Sequence, residues 1–410
     1  MDYLKLIALR EKASLSQEAL AEKLDVSRQA ISKWETGVSQ PNIDNLIAMS
    51  TIYGLTLDEL VSDNSAKLKI LIITTGGTFA QYDENGIHVT KGSVGKQGFI
   101  ESVIHNPKNR NVDFSIMNLY NIDSTSSTPN HWNLLLKTLE RNHNDYDAFC
   151  ITHGTNTMAQ TGAALAFGLE EFQKPVLLTG SQVPYGVEGA DASLNFQNMV
   201  RIAREHHDHL KGVFLVYNSF VIVGTRIKKA NENDYDAFSY YQTGLIGKQG
   251  AKVFEVVDKD LLEQNNLSYG DGLKVFSHFP THQIASITEH AGIDPDDIKL
   301  LVEKGGKKAI IYRGTGVGDI TEEMIPTLKW LREKQIPLVS LSQVPISCAS
   351  MDVNMPGVEA KKLGAIPAYD MNIESATIKV AYLLAKNVPY EKFAEEFHKS
   401  YKCEINVELI

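Results

Sequence analysis

Cysteine is scarce. The 410 residues hold three (Cys150, Cys348 and Cys403), at separations that match no metal-binding spacing. This argues against a disulfide-built or cysteine-zinc scaffold and predicts reduced, mostly buried thiols in a cytoplasmic protein. No apolar run reaches about 18 residues, so no membrane span is expected. The first residues lack the charged-then-apolar pattern of a secretion signal. Basic charge is in deficit, with 40 Lys and Arg against 50 Asp and Glu and a net charge of −10. Such a chain does not bind nucleic acid over its whole surface, so any DNA contact must come from a local patch. No nucleotide-binding Gly-x-Gly-x-x-Gly site and no His or Cys cluster stands out, so neither cofactor nor metal is expected. What is present suits a globular protein: 43% of residues are hydrophobic, and the length allows two or three domains with real cores.

The organising stretch is Ile151-Thr152-His153-Gly154-Thr155-Asn156-Thr157. Asp147 to Ile151 before it reads as a buried strand, and Met158 to Glu171 after it as an Ala- and Leu-rich helix. Ile70 to Ile73 followed by Thr74-Thr75-Gly76-Gly77-Thr78 repeats the design. Ligands bind at the carboxyl edge of parallel sheets, so two such turns can face one pocket. Further strands are expected at 112–119, 175–179 and 212–217, and helices at 130–142, 158–172 and 191–205. This βα alternation predicts a doubly wound parallel sheet. Residues 220–270 read as a hairpin and connector. A second, smaller α/β domain has strands near 284–288, 308–312 and 338–342. The predicted division is 1–66, 67–270 and 271–410, with Asp63-Asn64-Ser65-Ala66 as the first linker.

The first 66 residues read as an all-α unit. Ser16 suits the N-cap of a second helix, Val26 and Ser27 fill a turn, and Arg28 to Glu35 forms a third helix. Ala30, Ile31 and Trp34 face inward. Arg28, Gln29, Ser32 and Lys33 face outward. Gly37 and Pro41 end it, and two more helices follow, near 43–53 and 57–60. Leu15 to Ala21 with Val26 to Glu35 resembles the Cro/cI-type helix-turn-helix family. That resemblance implies contacts to a double-stranded DNA operator through Gln17, Ser27, Arg28, Gln29, Ser32 and Lys33. Glu11, Glu18, Glu22 and Asp25 dilute the positive charge, which predicts weak non-specific affinity and a dimer on a palindrome.

From about Lys67 onward, four segments resemble the bacterial L-asparaginase family, type I branch: Thr75-Gly76-Gly77-Thr78, His153-Gly154-Thr155-Asn156-Thr157, Lys174 to Gln182 and Asn121-Ile122-Asp123-Ser124. The resemblance implies hydrolysis of L-asparagine to L-aspartate and ammonia. An amide is a poor electrophile and threonine a poor nucleophile, so a base and oxyanion donors are needed. Thr78 is implied as nucleophile and Thr155, Asn156 and Lys174 as the second cluster, with Lys174 the activating base. Ser124, with Thr125 beside it, is implied to hold the substrate carboxylate. Residues 80–98 suit a lid. Glu374, in Asp370-Met371-Asn372-Ile373-Glu374, resembles an acid that approaches a neighbouring subunit's site; a plain helix-terminal role is the other reading. Arg313, in Arg313-Gly314-Thr315-Gly316-Val317-Gly318, resembles part of an effector site.

Asn156 departs from the family, which has Asp there to pair with the substrate ammonium. The amide oxygen still accepts a hydrogen bond. A charge-assisted bond contributes about 1.5–3 kcal/mol against roughly 0.5–1.5 for a neutral one, so catalysis slows. Three explanations stay open: an engineered trap, a natural ligand sensor, or an enzyme with sufficient residual activity. The alternative function is therefore an amino-acid-sensing regulator that binds asparagine or aspartate without turnover. A transfer-RNA-dependent amidotransferase subunit, which shares the core, is a weaker reading. A homodimer or homotetramer is expected on either reading.

Overall fold

The structure is a computed structural model describing residues 3–57, 60, 67–77, 82–84, 87–89, 98–185 and 187–410. The chain divides into two compact units, Met1–Lys67 and Leu68–Ile410.

The first unit is helical: α1 (Tyr3–Lys12), α2 (Gln17–Lys23), α3 (Arg28–Glu35) and α4 (Ile43–Tyr53). Side-chain caps fix three of the starts. Ser16 Oγ accepts from Ala19 N–H at 3.1 Å, Ser27 Oγ from Ala30 N–H at 3.1 Å and Asn42 Oδ1 from Asn45 N–H at 2.8 Å. Each satisfies an amide that the first helical turn leaves free. Leu6, Leu20, Leu24, Ile31, Trp34, Met49 and Leu60 form the core. The helix expected near 57–60 falls partly outside the described residues.

The strands of the second unit begin with β1 (Leu68–Gly76), the hairpin β2 (Tyr82–Glu84) and β3 (Ile87–Val89), β4 (Val112–Ile122), β5 (Ala148–Thr152), β6 (Leu169–Phe172) and β7 (Pro175–Thr179). Next come β8 (Gly212–Tyr217), β9 (Phe220–Val223), β10 (Ile227–Lys229), β11 (Phe238–Tyr240), β12 (Leu245–Gln249), β13 (Phe254–Val256) and β14 (Leu273–Val275). The main sheet has the order β13-β12-β9-β8-β7-β5-β1-β4. β4, β1, β5, β7 and β8 run parallel, and β9, β12 and β13 extend the sheet antiparallel. The doubly wound half is therefore as expected, and the connector adds antiparallel strands to it. Strands buried on both faces need continuous apolar runs; Ile70 to Ile73, Ala148 to Ile151 and Val176 to Leu178 supply them, each nearly inaccessible to solvent.

One expected helix stops early. It spans Met158–Gly168, and the next four residues become β6, paired antiparallel with β14. Extended backbone lets Leu169 and Phe172 reach the core. It also sets Glu170 among Lys274 at 2.9 Å, Lys386 at 2.5 Å and the Tyr382 hydroxyl at 2.7 Å.

A smaller lobe follows, with a four-stranded parallel sheet of β15 (Ile284–Thr288), β16 (Ala309–Gly314), β17 (Leu338–Ser342) and β18 (Ile366–Pro367) in sequence order. The last residues bind back onto the main lobe. Arg226 Nε donates to the Cys403 carbonyl at 2.7 Å, and Thr225 Oγ1 to the Lys402 carbonyl at 2.8 Å. Arg226 also pairs with buried Asp370 at 2.9 Å. All of these groups are buried, so each charge must be matched.

Candidate active site

After β1 the chain crosses to β4 on one side and then to β5 on the other, so the carboxyl ends of β1 and β5 flank a topological switch point. A crevice forms there in open α/β sheets. Three turns meet at it. Gly77 has a φ of +76°, and a Cβ there would lie 2.3 Å from Gly154 Cα. A Cβ on Gly154 would lie 2.5 Å from Ser124 Oγ. Glycine at 77 is thus required twice, for left-handed backbone and for close approach. Thr157 Oγ1 donates to the Ser124 carbonyl at 2.8 Å and ties the β4 turn to the β5 turn.

Thr155, Asn156, Ser124 and Thr125 lie together. Thr155 and Ser124 are buried, and Asn156 and Thr125 are exposed. Asn156 Nδ2 donates to Thr125 Oγ1 at 3.1 Å, which leaves Oδ1 as the acceptor toward the crevice. Thr78 lies outside the described residues, as do most of 80–98; the chain before it is described as far as Gly77.

The lysine differs from the expected one. Lys174 immediately precedes β7, at the amino edge of the sheet, while Thr155 follows the carboxyl end of neighbouring β5. A five-residue strand separates those edges by about 16 Å at 3.3 Å per residue. The Lys174 ammonium instead donates to the carbonyls of His143 and Tyr146, and partial burial pushes its pKa down. Lys229, at the end of β10, occupies the site. Its Nζ donates to Thr155 Oγ1 at 2.9 Å, to Asn156 Oδ1 at 2.8 Å and to Glu232 Oε2 at 2.7 Å. Its side chain is 14% exposed. A cation donating to a threonine hydroxyl stabilises the alkoxide that attacks or activates water.

Supporting contacts fix the strand ends. His153 is buried, donates from Nδ1 to the Gly154 carbonyl at 2.7 Å and accepts at Nε2 from Thr161, itself a partner of Trp132 Nε1. Burial pushes the His153 pKa down to about 4, so the ring is neutral. Asp191 accepts from the Gln182 and Val183 amides, holding the turn after β7.

Glu374 Oε1 pairs with Lys228 Nζ at 2.8 Å. Successive strand residues face opposite ways, so this pair sits on the reverse face from Lys229. Its Oε2 is buried and has no hydrogen-bond partner among the described residues. Arg313 is the penultimate residue of β16 in the smaller lobe, half-buried, with its carbonyl accepting from Gln343 Nε2 and the Glu289 amide.

In the helical unit, Arg28, Gln29 and Lys33 are exposed on α3 and Ser32 is half-buried. Arg28 pairs with Glu18 at 2.7 Å, both ends in solvent. Two expected DNA-contacting side chains also hold hydrogen bonds within the unit. Ser27 Oγ caps α3, and Gln17 Nε2 turns inward to Glu35 Oε2 at 2.8 Å, beside Arg10. Glu35 is buried, and its charge needs both donors.

Comparison with known proteins finds three family matches along the chain. The family described as Asparaginase, N-terminal matches residues 69–260, Glutaminase/Asparaginase C-terminal domain matches 283–397, and Helix-turn-helix matches 6–60. L-asparaginase 1 of Escherichia coli (strain K12) is 28% identical over 347 residues, covering 83% of this chain and 98% of that protein. The crystal structure of L-asparaginase I from Vibrio cholerae superimposes with a TM-score of 0.71 at 29% identity, covering 83% of this chain and 100% of that one. A glutamyl-tRNA(Gln) amidotransferase subunit of Thermofilum pendens is 27% identical over 300 residues, covering 70% of this chain and 64% of that protein.

Proposed function

Because the chain belongs to the asparaginase family of amidohydrolases, with a helix-turn-helix domain ahead of the hydrolase domains, we propose that it hydrolyses L-asparagine to L-aspartate and ammonia. The observation that carries this reading is the Lys229 ammonium on Thr155 Oγ1 at the crevice between β1 and β5. In this reading Thr78, delivered by the Gly76-Gly77 turn, takes the acyl group and releases ammonia. Thr155 and Lys229 then activate the water that frees aspartate. Ser124 and Thr125 hold the substrate carboxylate, and Asn156 Oδ1 accepts from the substrate ammonium. The helix-turn-helix domain reads a palindromic operator through Arg28, Gln29, Ser32 and Lys33, as part of a cytoplasmic homodimer or homotetramer. Arg313 is kept as an effector-binding residue.

The test is ammonia release from L-asparagine by this chain and by Asn156→Asp. Turnover by this chain, increased by Asn156→Asp, supports the reading, and no turnover from either overturns its catalytic half. A second reading rests on Asn156: a regulator that binds asparagine or aspartate without hydrolysis. It predicts calorimetric binding and ligand-dependent operator affinity in the absence of turnover. Loss of operator binding in Arg28→Ala/Gln29→Ala, with unchanged helicity, separates DNA reading from a helical bundle that merely dimerises.

A further inference from the structure

We propose that Glu232 supplies the fixed negative charge that Asn156 cannot, positioning the Lys229 ammonium on Thr155. The inference rests on the amidohydrolase reading of this site and adds a residue to it.

An aspartate at position 156 would place a charge beside Lys229. An asparagine places only a carbonyl dipole there. Lys229 nevertheless carries three hydrogen bonds, the full capacity of an ammonium, and the shortest runs to a carboxylate: Glu232 Oε2 at 2.7 Å, against 2.8 Å to Asn156 and 2.9 Å to Thr155. Two neutral oxygens cannot balance a largely buried cation; one carboxylate can.

Other charged groups near this strand are engaged elsewhere. Lys228 and Glu374 pair on its reverse face. Asp234 accepts from Asn231 Nδ2 at 3.1 Å. Among the described residues, Glu232 is the carboxylate in ion-pair contact with Lys229.

The geometry is built rather than incidental. A surface Glu three residues from a Lys contributes little when both ends are free to move. Here the turn is held from two sides. Asn231 Oδ1 accepts from the amides of Asn233 at 2.8 Å and Asp234 at 3.2 Å, closing an Asx turn around Glu232. Gln182 Nε2 reaches from the turn after β7 and donates to the Glu232 carbonyl at 2.7 Å. The carboxylate is thus presented to the lysine three residues before it by a turn that Gln182 braces from a separate segment. Its side chain is 71% exposed, which leaves room for replacement without disturbing the core.

Glu232 acts through Lys229, so its removal should lower kcat more than it changes KM. The test is steady-state ammonia release by four proteins: this chain, Glu232→Gln, Asn156→Asp, and the double variant. The expected result is a kcat loss of about 3- to 10-fold for Glu232→Gln, with KM changed less than about twofold. In the Asn156→Asp background the same substitution should cost less than about twofold, because the introduced carboxylate then carries the charge. Equal losses in both backgrounds, or a rise in KM alone, would overturn the proposal. A second readout needs no turnover. In protein labelled with 13C-lysine, and with the signal assigned by Lys229→Arg, the Lys229 Cε resonance at pH 7 should move on Glu232→Gln. An unmoved resonance overturns the proposal. Absence of turnover in all four proteins, with the resonance shifted as expected, refutes the amidohydrolase reading and leaves the ion-pair assignment standing.

Discussion

Replacing Lys229 and Lys174 by methionine separates a catalytic lysine from a structural one. Lys229→Met removes the donor at 2.9 Å from Thr155 Oγ1 and the one at 2.8 Å from Asn156 Oδ1. A hydrogen bond from a charged donor contributes about 1.5–3 kcal/mol. At about 1.4 kcal/mol per tenfold, losing the one on Thr155 lowers the rate by about 10- to 150-fold. A kcat loss of about 10- to 150-fold is therefore expected, with the melting temperature nearly unchanged. Lys174→Met strips the His143 and Tyr146 carbonyls of their shared donor, about 16 Å of strand away from Thr155. Leaving half-buried carbonyls unpaired costs about 1–3 kcal/mol. That lowers the melting temperature by several degrees while kcat stays within about twofold. Ammonia release and thermal denaturation of the two variants side by side decide the matter. A Lys174→Met enzyme that melts normally and has lost its turnover, beside an active Lys229→Met, would refute the assignment.

Two further perturbations test the frame of the site. Gly77→Ala places a methyl 2.3 Å from Gly154 Cα on a backbone with φ +76°, so the two turns must part. A displacement near 1 Å costs about 100-fold in rate; kcat/KM should fall by at least that, measured on protein whose circular dichroism matches the parent. His153 has a folded-state pKa pushed down to about 4 from 6.5. The unfolded chain binds this proton first, so the stabilisation is intact above pH 6.5 and is lost as pH falls from 6.5 toward 4. Urea unfolding at pH 7 and pH 5 should show a loss of about 2 kcal/mol attributable to this ring, and His153→Gln should flatten that dependence. An unchanged slope in the variant would contradict the buried neutral imidazole.

Much of the frame was legible because local and tertiary signals agree. Ala148 to Thr152, Pro175 to Thr179 and Gly212 to Tyr217 are short apolar runs bounded by turn residues, and each became a strand over those residues. Ser16 and Gly37 marked helix ends by mechanism: α2 starts directly after Ser16, and α3 stops two residues before Gly37. The misreadings arise where the deciding partner is distant in sequence. Lys174 adjoins a motif that reaches the crevice, yet it stands at the motif's wrong end. Lys229 lies on β10, paired with β11 and 74 residues from Thr155, so no local spacing marks it. The available signal was weaker: Ile227 and Lys229 share one face of a short strand, apolar then cationic, beside the polar turn 231–234. Leu169 to Phe172 joined a helix in composition; Gly168 was the cue to its end, since a Cβ there would lie 2.8 Å from the Phe276 carbonyl. Gln17 looked outward by motif but is needed inside, because Glu35 is buried and demands donors.

The clasp of Thr225 and Arg226 by the carbonyls of residues 402 and 403 has a temporal consequence. Those partners lie 177 residues downstream of Thr225 and Arg226, which immediately precede the strand that presents Lys229. At about 5–20 residues per second, the ribosome needs roughly 10–35 s to supply them after β10 has emerged. During that interval a nascent chain holds its helical head and its first parallel strands but lacks the anchor beside its key amine. Assembly of the site thus waits for residues 402 and 403, whereas the helical head can fold much sooner.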